Sequence, residues 1–373
     1  MPTVQNDNLS VKAKKYCIIK YTLGIVHSLY GAVILFIFAF SGASLTLSAI
    51  FAEWIPNPYF LLAVYFLALS AAYYLFNFSF IFYRSFILEH QFSLSRQNIG
   101  DWFVDQVKGG GIFYFFTLAA LEAFFYLLRN APQAWWWLVS AVWIFLSLVL
   151  AKAAPVVIVP LFFKYKRMAE EPLRQRLLSL AARMGVPVCD VFEIDLSRKS
   201  LKANAAFAGL GKTRRIILSD TLKENFSPDE IEVILAHEFA HYRLGHIVKL
   251  LVINSFSIVF SFYVLFLVSG PLSVFFRLPS FTSVAVLPVL FLYWMAWGTA
   301  VTPFENALSR AFERSADRKA LEATGLKDAF INTMEKFSRR NLSDRKPHPL
   351  IKLFFFDHPP VDERIAMAHR YRV

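Results

Sequence analysis

Cysteine and charge are both scarce in this chain. Its 373 residues include 2 cysteines, Cys17 and Cys189, far apart and in unlike contexts. That excludes a disulfide framework and a zinc site built from cysteines. Only 18% of the residues are charged, against about 25% in an ordinary soluble domain. No internal repeat and no low-complexity linker interrupts the sequence. Apolar residues fill the space: 57% are hydrophobic, and 40 are Phe. The composition is that of a membrane protein.

Six apolar stretches reach or approach the length that crosses about 30 Å of hydrocarbon. They lie at 29–52, 59–83, 111–128, 134–163, 248–268 and 283–303. The third is short for a span. The fourth is too long and carries Lys152, Pro155 and Pro160, which predicts a kink or an end outside the membrane. Basic residues precede the first stretch, as in a signal peptide. Its apolar run exceeds the roughly 7–15 residues of such a segment, so it is expected to be a retained span. Six spans put both termini on one side, and 35 of the 39 Lys and Arg fall there. The positive-inside rule makes that side the cytoplasm. The net charge of +12 is then explained by topology and by membrane lipids with anionic headgroups. No nucleic acid is needed to account for it.

The expected organisation is an N-terminal membrane half of about four spans (1–163) and a second domain (164–373) that includes the spans 248–268 and 283–303. Between these, "EEPLRQRLLSLAARMG" reads as an amphipathic helix, with Leu173, Leu177, Leu178 and Ala181 on one face and Gly185 as its stop. "CDVFEID" alternates like a strand. "KANAAFAGLGKTRRIILSD" reads as a β-hairpin turning at "GLGKT". Ser227, Pro228 and Glu230 predict a capped helix start. "NALSRAFERSADRKALEAT" (306–324) reads as a helix stopped by Gly325.

The helix that begins at Pro228 carries "HEFAHYRLGH". His237 and His241 are one turn apart and can reach a single Zn²⁺. Glu238 cannot join them as a ligand and is placed to serve as general base. A catalytic zinc needs a third protein ligand and an open position. Glu313 is the candidate, with Asp317 one turn on as hydrogen-bond partner to a ligand histidine. By its own composition that segment also reads as a solvated face, with Arg310, Arg314, Arg318 and Lys319 exposed. His246, nine residues from His237, is expected at most to support the site. By spacing alone His358 reads as structural.

Six blocks occur in an order that resembles the type 1 CAAX prenyl proteases: "EHQFSLSRQNIGDWFVDQVK", "PLFFKYK", "KANAAFAGLGKTRRIILSDTL", "HEFAHYRLGH", "SRAFERSAD" and "FFFDHPPVDERIAMA". The resemblance covers about residues 80–370. It implies a mainly α, multi-pass protein with about six transmembrane helices around a chamber. These would join a gluzincin-like α+β zinc protease domain with a small sheet. It implies one Zn²⁺ held by His237, His241 and Glu313, and Glu238 as catalytic base. His358 would face the oxyanion, and Arg364 would help position the ligands. Asn204, Ala205 and Ala206 would lie on the strand that receives a peptide or lipidated peptide substrate. Eukaryotic members carry a seventh span. The six found here resemble the shorter bacterial members, which implies the bacterial cytoplasmic (inner) membrane, with the catalytic domain inside. Oligomeric state and physiological substrate are not legible. Two other readings stand beside a processing protease: membrane-protein quality control, and a carrier or channel with structural zinc. For the last, Glu122 and Lys152 within spans would mark a pathway.

Overall fold

The computed structural model describes residues 2–208 and 215–371. Six helices are long and apolar enough to cross a membrane: Ser10–Phe40, Pro58–Gln91, Ile99–Asn130, Trp135–Phe162, His246–Phe275 and Val284–Thr324. Asn57 and Asn98 cap two of them by accepting backbone N–H bonds, which satisfies donors a helix start leaves free. Leu75 and Val107 are each 74% exposed on these helices. In water such faces would promote association; in a bilayer, lipid is their solvent.

The first span lies earlier than expected. It ends at Phe40, not near 52. Gly42, at φ +82°, separates it from a second helix, Ala43–Trp54. Lys12, Lys14, Lys15 and Lys20, expected to flank the span, stand on the same continuous helix. The third span is not short: its helix has 32 residues, the first turns polar. The fourth contains a π-helical turn, Ala154–Ile158, around Pro155. This is the expected irregularity, because proline removes a helix donor. Glu122 is half-buried and Lys152 exposed.

Four strands form one sheet: β1 (Tyr165–Arg167), β2 (Asp190–Ile194), β3 (Ala205–Ala208) and β4 (Arg215–Ser219), in the order β1-β2-β4-β3. β3 and β4 are antiparallel, from Ala205↔Leu218 to Ala208↔Arg215. The hairpin is therefore present; its expected turn, 209–213, lies outside the described residues. β2 and β4 run parallel. β1, three residues long, is too short to show alternation and was not foreseen. The helix Glu171–Arg183 buries Leu173, Leu177, Leu180 and Ala181. Leu180, not the expected Leu178, completes the stripe, as an i, i+4, i+7, i+8 face requires. These residues share a core with Val191, Ile216, Leu218 and Phe239.

The expected helix 306–324 is the far end of a longer one. Leu287–Thr324 runs 38 residues through Pro303 and stops at Gly325, φ +66°. Its apolar first half belongs to the bundle core. Its second half carries the acidic residues. A single helix thus runs from the membrane half into the site.

Candidate active site

The helix Pro228–Arg243 is held at its start by a capping box between Ser227 and Glu230. Ile231, Leu235 and Phe239 are buried against the sheet. That burial fixes the helix rotation and turns His237 and His241 toward the helix Leu287–Thr324, which supplies Glu313 and Asp317.

Three candidate ligand residues converge. His237 Nε2 and His241 Nε2 are 3.1 Å apart. Glu313 Oε2 is 3.2 Å from the first, and Glu313 Oε1 is 3.1 Å from the second. Ligands at about 2.0–2.1 Å from a tetrahedral ion lie roughly 3.3 Å from one another, so this trio fits a four-coordinate metal ion with one position free. Glu313 Oε2 is buried and accepts no hydrogen bond, so its lone pairs are free for a cation. Glu238 is not in the trio. Burial pushes its carboxyl above its ordinary pKa.

Behind the trio, Asp317 Oδ1 lies 2.8 Å from His237 Nδ1. Arg364 donates two hydrogen bonds to the same carboxylate, one of 2.8 Å to Oδ2. Asp317 is fully buried and the Arg364 side chain is 13% exposed. Arg364→Ala would leave the buried Asp317 carboxylate without its cationic partner and is expected to cost about 3–5 kcal/mol of stability, read as a lowered unfolding midpoint in detergent. His358 Nε2 lies 3.5 Å from Glu313 Oε2. Its Nδ1 is 2.8 Å from Asp357 Oδ1, and that bond raises the imidazole above its ordinary pKa, favouring an N–H donor.

Arg310 corrects the expectation of a solvated face. It is 7% exposed and donates to the carbonyls of Lys352 and Phe356 at 3.0 and 2.6 Å. It therefore pins the segment that ends in His358. Arg314 and Arg318 are exposed, as expected.

His237 and Glu238 line a cavity of about 700 Å³. Asn204 and Ala205 form part of its wall; Ala206 follows in β3, opposite Ile217. Among the described residues β3 is an edge strand, bonded only to β4. The first two spans complete the wall with Tyr16, Lys20 and Arg84, and Lys202 joins them. These were not foreseen as site residues. Lys20 carried the usable signal, a charge inside an apolar span, but misplacing the first span hid it.

Comparisons with known proteins give the family and the fold. Residues 167–372 match peptidase family M48. Residues 3–164 match the family described as CAAX prenyl protease N-terminal, five membrane helices. The chain is 32% identical over 286 residues to an uncharacterized metalloprotease, YhfN, of Bacillus subtilis (strain 168), covering 75% of this chain and 66% of that one. It is 30% identical over 304 residues to CAAX prenyl protease 1 of Saccharomyces cerevisiae, covering 76% and 67%. A crystal structure of S. mikatae Ste24p aligns with a TM-score of 0.82 over 97% of this chain and 89% of that one. At 23% identity, that likeness shows the fold alone.

Proposed function

This chain belongs to peptidase family M48, and on that premise we propose that it is a membrane-embedded endopeptidase with one zinc ion held by His237, His241 and Glu313. The observation that carries this is the mutual spacing of the two imidazole nitrogens and the Glu313 carboxylate beside the cavity. A structural zinc would have four protein ligands; among the described residues three converge, which favours an enzyme over a carrier. When bound, zinc supplies Lewis acidity to a peptide carbonyl and acidifies water. Glu238 takes the proton of the attacking water and hands it to the leaving amine. His358 donates a hydrogen bond to the developing oxyanion. Asp317, steadied by Arg364, orients His237. An extended peptide adds to the free edge of β3, where Asn204, Ala205 and Ala206 leave the backbone accessible.

The two functional halves are taken as 1–163 and 164–373. The distribution of basic residues favours a cytoplasmic second half and cytoplasmic termini, and the likeness to a Bacillus relative supports a bacterial cytoplasmic membrane. The substrate is a membrane-associated peptide, prenylated CAAX-type chains among them. Lys20, Arg84 and Lys202 support a substrate cleaved near its C-terminus. Lys202 pairs with Glu89 at 2.8 Å, so Lys20 and Arg84 are the cations proposed to meet a substrate carboxylate in a cavity that Asp344 and Asp357 also line. A prenylated test peptide with a free carboxylate should be cleaved, and its amide should show a KM about 10-fold higher, the worth of roughly one charge-assisted hydrogen bond. Equal KM values would remove these residues from recognition. No cleavage of either peptide by zinc-loaded protein would favour a quality-control substrate instead.

A further inference from the structure

We infer that His246, the first residue of the membrane-spanning helix His246–Phe275, positions the metal ligand His241 and ties it to the helix that carries Glu313. The inference rests on reading His241 as a ligand.

His246 Nδ1 lies 3.0 Å from His241 Nδ1. Its Nε2 lies 3.1 Å from Ser315 Oγ. Ser315 Oγ donates to the Phe312 carbonyl at 2.8 Å. The imidazole is 2% exposed and stacks on the Phe312 ring, 4.5 Å between centroids and 8° from parallel. Phe312 and Ser315 flank Glu313 in sequence.

The proton positions in this chain follow from one requirement. His241 presents the lone pair of Nε2 to the ion, so its proton is on Nδ1. His246 must then accept at Nδ1, which places its own proton on Nε2. That N–H donates to Ser315, and the hydroxyl passes the direction on to Phe312. Each group in the chain has one partner of the right kind, and His246 is held neutral in a single tautomer. Partners of this type fix the ring orientation and basicity of metal-bound histidines.

The backbone explains why the spacing concealed the role. On an unbroken helix His246 would sit roughly 140° around from His241. The helix ends at Arg243, Gly245 takes φ +67°, and a new helix restarts at His246. That left-handed residue brings the ring back against His241. The arrangement links three elements: the helix with His237 and His241, the helix with Glu313, and a membrane span. Movement of the span relative to the site would be felt at a ligand atom.

The test uses the full chain purified in detergent, with zinc affinity measured by chelator competition alongside kcat and KM. His246→Ala is expected to weaken zinc binding about 10–100-fold. His246→Asn, whose side-chain oxygen occupies the place of Nδ1, should restore affinity to within a few-fold of wild type. At saturating zinc, His246→Ala should lower kcat with KM unchanged. Wild-type zinc affinity in His246→Ala overturns the inference, and so does an equal loss in the Ala and Asn variants, which would mean the ring only fills space. If His246→Ala does not fold, Ser315→Ala decides: a loss of about 2–10-fold in zinc affinity supports the relay and no change refutes it. His241→Ala, run in parallel, tests the ligand reading separately. If it keeps wild-type zinc affinity, that reading is at fault and the positioning question falls with it.

Discussion

Glu238→Gln is expected to keep one metal ion per chain while kcat falls by about 10²–10⁴-fold, the usual contribution of a positioned general base. The ligand trio excludes Glu238, so removing its charge leaves the metal's bonds intact. Glutamine has the same shape and still accepts a hydrogen bond, but it cannot carry a proton from water to a leaving amine. KM should change little, because in the proposed binding mode an extended peptide is held mainly through its backbone along the β3 edge. Metal analysis and steady-state kinetics on one preparation separate the two effects. Cleavage at the wild-type rate would remove Glu238 from the base role. Loss of the metal would show that Glu238 supports the ligands instead.

Glu313→Gln is expected to do the opposite: lose the metal first and activity with it. The carboxylate supplies both oxygens facing the histidines, Oε1 toward His241 and Oε2 toward His237. The amide brings no negative charge and puts an N–H where one lone pair is needed. Zinc affinity should fall by more than about 100-fold, beyond the 10–100-fold typical of losing only an outer partner. Arg314→Ala, one residue on and exposed, should leave zinc affinity unchanged and stability within about 0.5 kcal/mol. Equal behaviour of the two variants would restore the reading of this segment as an ordinary solvated helix face.

What the sequence showed clearly was local. His237 and His241 sit one turn apart on a capped helix, and that pattern needs no tertiary information. Gly325 ends the Glu313 helix because only its left-handed backbone fits there, and this too is visible in isolation. Asp317 one turn on made Glu313 the candidate, but pairing it with the histidines required either the fold or the ordered blocks of a family resemblance, since its arginine-rich neighbourhood reads equally as a solvated face. Other features were hidden for specific physical reasons. Arg310 looked like a solvated charge, because burial against two carbonyls at the end of the helix Pro349–Phe355 leaves no trace in an arginine-rich segment. Lys20 looked like a flank because apolar content alone set the span at 29–52, whereas the helix is continuous through the preceding lysines. His246 was given at most a supporting role, and its contact with His241 was hidden because a helical wheel assumes an unbroken helix, which Gly245 breaks.

The central claim is the identity of the three ligands. Anomalous scattering at the zinc absorption edge, from crystals of zinc-loaded protein, tests it most directly. One peak per chain is expected, about 2.0–2.2 Å from His237 Nε2, His241 Nε2 and a Glu313 oxygen, with no fourth protein ligand. A peak on other residues, a fourth side chain closing the site, or no peak in protein that cleaves peptide would contradict it.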